Sequence, residues 1–122
     1  MANDWGPHYI VPSEAIEKYS GFVQLRERLD EELLDMELEE LGIFWPIIRI
    51  SNPWYYRMKG AETWIKIGES EDKQGNFAVG WDTTTLQNGQ YEIMGLMHVS
   101  VKKSEATTVI ARQNVVEITV EN

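Results

Sequence analysis

The sequence predicts a mainly β protein: an antiparallel β-sandwich preceded by an extended arm and an amphipathic α-helix. Three observations lead there. From Ile43 onward the apolar residues follow a two-residue period in short runs, separated by turns such as ESEDKQGN (69–76) and Asn88-Gly89. Before that point the apolar spacing is helical. The charge divides at the same place: residues 1–45 carry eleven Asp/Glu against three Lys/Arg, and residues 46–122 nine against eight.

Residues 1–12 hold Trp5, Pro7, Tyr9 and Pro12 with neither period, and read as an extended arm packing on its own domain or on a neighbour. Residues 13–42 read as a helical segment. Ser13 suits an N-cap, with Glu14 and Glu17 near the positive helix end. Gly21 bends or interrupts this helix, and the main helix spans 22–41. Gly42 stands where a C′ glycine belongs, followed by apolar Ile43 and then Pro46. At ~100° per residue, Phe22, Leu25, Leu29, Leu33 and Met36 form one stripe. Val23, Leu34, Leu38 and Leu41 form a second, about 120° round. Two stripes predict two contacts, one internal and one with another subunit. A single wide apolar face wrapped against the chain's own arm and sheet accounts for them equally.

Residues 43–122 read as the sandwich. Phe44–Ser51 is a first strand, apolar nearly throughout; Asn52-Pro53 breaks it, leaving Trp54-Tyr55-Tyr56 on a loop or edge. Residues 61–68 alternate around Trp64, Ile65 and Ile67. Residues 76–81, 91–102 and 107–120 give three more strands, with Ser104-Glu105 as the last turn. Asn88-Gly89 suits positions that need φ > 0 and joins two sheet segments tightly.

The pattern Trp81-Asp82-Thr83-Thr84-x-Leu86-x-x-Gly89-x-Tyr91 resembles the closing half of bacterial immunoglobulin-like (fibronectin-III-related) domains. The terminal run VVEITVEN resembles their closing strand. The match extends from Phe77 to Asn122 and is weaker over 46–76, where the usual third strand has no clear counterpart. The resemblance implies an abbreviated Ig-like sandwich, with Trp81 packed between two sheets and Tyr91 pinning a corner. A shortened sandwich exposes sheet edge and apolar face, which the helix or another subunit must cover. Such a scaffold does not fix function.

Chemistry-bearing patterns are scarce. Without cysteine there is no disulfide, thiolate site or Cys nucleophile. The two histidines, His8 and His98, fall in the arm and in a strand. No G-x-S-x-G, P-loop or G-x-G-x-x-G occurs. The acidic run 30–40 lacks an EF-hand's spacing and glycine, and Glu69, Glu71 and Asp72 read as solvated turn residues. No catalytic, cofactor-binding or metal-binding residue is therefore expected, and the chain is read as a non-enzyme. A net charge of −9 argues against nucleic acid. No run approaches the ~18–20 apolar residues of a membrane span. The start, MANDWGPHYIVPSEA, lacks a signal peptide's basic and apolar regions, which predicts synthesis in the cytoplasm.

The expected function is structural: an assembly protein that grips copies of itself or other subunits through its arm (Trp5, Tyr9) and helix (Leu34, Leu38, Leu41). Trp54, Tyr55, Tyr56 and Arg57 form a further aromatic and arginine cluster of the kind enriched at binding hot spots. Capsid decoration, neck and tail proteins of tailed bacteriophages fit by analogy, since many resemble Ig-like domains and use arms and helices to hold neighbours. The chain would then be a virion component. The alternative is a carbohydrate- or surface-ligand-binding module of a larger exported protein, with sugars stacking on Trp54–Tyr56.

Overall fold

The computed structural model describes the backbone of residues 10–12 and the whole of residues 18–122. Trp5, Tyr9 and residues 13–17 of the expected helix lie outside the described residues. Over the described residues the chain is mainly β, with one short helix and a curled sheet. Its elements are β1 (Ile10–Pro12), β2 (Lys18–Tyr19), β3 (Phe22–Leu25), β4 (Glu27–Leu29), α1 (Glu31–Glu40), β5 (Ile47–Met58), β6 (Ile65–Ser70), β7 (Val79–Asp82), β8 (Gly89–Lys103) and β9 (Ala106–Val120).

The helix expected over 22–41 is corrected to ten residues. Asp30 adopts an extended N-cap conformation, and its carboxylate accepts from the Leu33 N–H at 3.2 Å. At the other end Gly42, at φ 73°, donates to Glu39 O and Ile43 donates to Leu38 O, closing a Schellman motif. The residues before Asp30 are strands because they alternate. Val23, Leu25, Glu27 and Leu29 turn inward, while Phe22, Gln24 and Arg28 are exposed. β3 pairs antiparallel with β7, from Phe22↔Asp82 to Leu25↔Val79, and β1 pairs antiparallel with β4.

The main sheet runs β2-β9-β8-β5-β6. Its centre is the hairpin of β8 and β9, in register from Gly89↔Val120 to Lys103↔Ala106 across the Ser104-Glu105 turn. β5 and β6 add antiparallel, and β2 lies parallel to the end of β9. The break expected at Asn52-Pro53 does not occur. β5 holds its register with β8 across both residues, from Ser51↔His98 to Trp54↔Gly95, so Trp54–Tyr56 belong to a strand.

The inward residues of β8 set out the interior. Tyr91 and Ile93 belong to one apolar cluster, with Tyr19, Leu25, Trp54, Trp81, Ile118 and Val120. Met97, Val99 and Val101 belong to another, closed by Phe77 and by Leu34 and Leu38 of α1. Gly95 stands between them, and there the interior is polar: Glu27, Asn52 and Asn114 are all fully buried.

Candidate functional site

Three places could carry function: the buried polar group, the outer face of the sheet around Tyr55, and the surface joining α1 to β5.

The polar group is built around Glu27. β4 delivers its side chain onto the sheet where Gly95 leaves space; a Cβ at Gly95 would collide with the carboxylate. The Asn114 amide donates to Glu27 Oε1 at 3.1 Å. Burial pushes the carboxyl up to about 7, and the amides of Asn114 and Asn52 partly oppose that rise. Asn52 is close enough to act on the charge without reaching hydrogen-bond geometry. A carboxyl poised near neutrality suits proton transfer, but this one is sealed from solvent. Its place between two apolar clusters makes it a fastener of the N-terminal strands to the sheet.

The outer face carries a depression of about 300 Å³ lined by Arg49, Ser51, Tyr55, Glu69, His98 and Val109. Arg49 donates to Glu71 at 2.8 Å and Lys66 to Glu69 at 2.8 Å. The Lys66 hydrogen bond holds the Glu69 carboxyl below its ordinary pKa, with Arg49 and His98 adding smaller effects. Of the row expected to act together, Tyr55 is the one ring that lines the depression, because the strand separates its neighbours. Trp54 is buried, and its Nε1 donates to Phe77 O at 2.9 Å. Tyr56 packs inward on Trp81, with ring centroids 5.2 Å apart. Arg57 is held by Glu92 at 2.7 Å and stacks 4.2 Å over Trp64. The row 54–57 is thus divided between the two faces of the sheet, Trp54 and Tyr56 inward, Tyr55 and Arg57 outward, and of the four Tyr55 lines the depression.

The third surface also corrects an expectation. Leu34 and Leu38, assigned to a neighbour's grip, are 1% and 6% exposed and close the core. Leu41 is the helix C-cap and stays half exposed. What lies open is a groove of about 320 Å³ between α1 and the approach to β5, lined by Asp35, Leu38, Glu39, Ile43, Phe44, Trp45 and Ile47. Phe44 is 76% exposed, and Ile48 and Met36 are also open. Trp45 is partly covered by Lys103, 4.6 Å over its ring. The rim is acidic. Asp35 and Glu39 line it, and the last helical turn has no basic residue to offset the helix dipole. Glu31 and Glu37, outside the lining, pair with Lys73 and Arg112.

Phe44 and Ile48 escaped the sequence reading because an apolar run through Phe44–Ser51 is expected of a strand buried on both faces. Among the described residues no three His, Asp or Glu side chains converge as metal ligands. No protein-family model, curated protein or solved structure matches the chain.

Proposed function

We propose that this chain is a non-enzymatic structural subunit that grips neighbouring proteins, in the manner of bacteriophage capsid decoration, neck or tail components. The observation that carries the reading is Phe44, an aromatic ring 76% exposed at the mouth of an apolar, acid-rimmed groove. Exposed apolar residues gathered around a groove mark interaction sites more often than chance. Burying one such ring contributes ~1.5–3 kcal/mol before ordering costs. The acidic rim favours a partner that brings Lys or Arg beside its apolar contact.

The scaffold for this role is an immunoglobulin-like sandwich. In support, Trp81 of the β3–β7 pair packs against Tyr19 and Tyr56, facing the five-stranded sheet. The Tyr91 hydroxyl donates to Gln87 O at 2.8 Å, the kind of bond that pins a corner.

A photo-crosslinking amino acid at position 44, introduced in the producing cell, tests the reading. A discrete adduct with one protein is expected on irradiation. Irradiation that leaves the chain unlinked removes the groove as a grip.

A second reading, a carbohydrate- or surface-ligand-binding module, draws on the Tyr55 depression, where an aromatic ring lies among Glu69, His98, Arg49 and Ser51. Glycan binding lost in Tyr55→Ala would favour it over the first.

A further inference from the structure

We propose that the outer edge of β9, which pairs with no described strand over residues 107–113, pairs with the same edge of a second copy, joining two sheets into one. The proposal deepens the structural reading above by naming one partner and one contact.

The direction of each backbone group on β9 follows from the hairpin. The two-residue turn Ser104-Glu105 makes Lys103 and Ala106 a hydrogen-bonded pair. The register then runs without a bulge to Gly89↔Val120. Even-numbered residues of β9 therefore bond to β8, and odd-numbered residues aim their N–H and C=O away from it. The Glu121 N–H confirms the parity by donating outward to Tyr19 O at 2.9 Å. Among the described residues, β2 is the only strand on that side, and it pairs only at Thr119 and Val120. The outward groups of Thr107, Val109, Ala111 and Gln113 face no described strand.

Proteins usually blunt such an edge with Lys, Pro, a bulge or a very short strand. Here the stretch 106–116 (ATTVIARQNVV) has no Pro and no Lys, and Arg112 is its single charge. That charge is directed to Glu37, 3.4 Å away on the helix side of the sheet. The edge is therefore rich in β-branched residues, free of bulges against β8 and nearly neutral, although the chain as a whole carries −9.

A second copy fits it by symmetry. In an antiparallel register centred on Ile110, Thr107 meets Gln113 and Val109 meets Ala111, each pair exchanging N–H···O=C bonds. All the outward groups from 107 to 113 are then used. Arg112 falls opposite Thr108, so no like charges oppose each other, a condition sheets require. The contact is isologous and closes as a dimer.

Light scattering over a concentration series reads the mass. The wild type should rise toward twice 14.1 kDa. Val109→Pro removes one outward donor while leaving the β8 ladder intact, and should hold the chain at 14.1 kDa with an unchanged circular dichroism spectrum. A wild type that stays monomeric at every concentration overturns the proposal, as does a Val109→Pro chain that still dimerises. If Val109→Pro misfolds, Ile110→Cys decides. The chain has no other cysteine, so oxidation should link two copies at the symmetry centre, while Lys59→Cys should not. Absence of that link overturns the pairing. An adduct at position 44 with no dimer leaves the assembly reading standing and removes this one.

Discussion

The carboxylate of Glu27 rests against Gly95, between Ile93 and Met97 where β8's inward face carries no side chain, and this contact ties the N-terminal strands to the sheet. Burial raises the Glu27 carboxyl from its ordinary 4.5 to about 7. Between those values the folded chain holds a proton that the unfolded chain has released. The stabilisation is complete below about pH 4.5 and is lost as pH rises through about 7, a change on the order of 3 kcal/mol. Glu27→Gln keeps an acceptor for Asn114 and removes the titration. Urea unfolding from pH 4.5 to 8 should show the wild type losing stability against the variant as pH rises. Parallel curves for the two proteins would mean that Glu27 is not buried as described.

Gly95→Ala should destabilise through the same contact. The added methyl overlaps the Glu27 carboxylate, and overpacking of this kind costs ~1–3 kcal/mol. With Glu27→Ala already in place the methyl has room, and the cost of Gly95→Ala should fall by more than half. Additive effects in this double-mutant cycle would show that the two positions do not touch.

The long strands were legible because their apolar residues alternate without interruption: the inward row Tyr91, Ile93, Met97, Val99 and Val101 is broken only by Gly95. The segment 22–29 was not legible, for a physical reason. Leu25 and Leu29 are four apart, and a spacing of four satisfies a helical face and a strand's two-residue period alike. The residue that separates the two readings is Glu27, which a solvated helix face accommodates but a strand turns into the core. A buried carboxylate is unexpected from sequence, so the polar fastener and the strands it holds were missed together. The groove was hidden likewise, since no spacing rule tells a two-sided buried strand from an apolar approach left open at Phe44.

Trp81→Ala tests the packing of the β3–β7 pair. Trp81 is buried and touches Tyr19, with centroids 6.0 Å apart, and Tyr56, at 5.2 Å. Removing a buried aromatic of this size costs ~3–5 kcal/mol. Chemical denaturation should show a midpoint lowered to match. A midpoint within error of the wild type would put Trp81 on the surface.

Helix α1 supplies the sharpest contrast between core and surface, because Leu38 and Phe44 lie on the same groove but differ in burial. Leu38 closes the cluster of Phe77, Met97 and Val99, so Leu38→Ala should cost ~2–5 kcal/mol, as large-to-small core changes do. Phe44 is open to solvent, and Phe44→Ser should leave stability within ~0.5 kcal/mol, the usual range for surface changes. Thermal unfolding of both variants checks this directly. The order should reverse in binding: Phe44→Ser keeps the fold and loses the crosslinked partner, whereas Leu38→Ala loses it only as far as the fold itself is lost. A Phe44→Ser chain that unfolds like Leu38→Ala would place the ring in the core and leave the groove without a function.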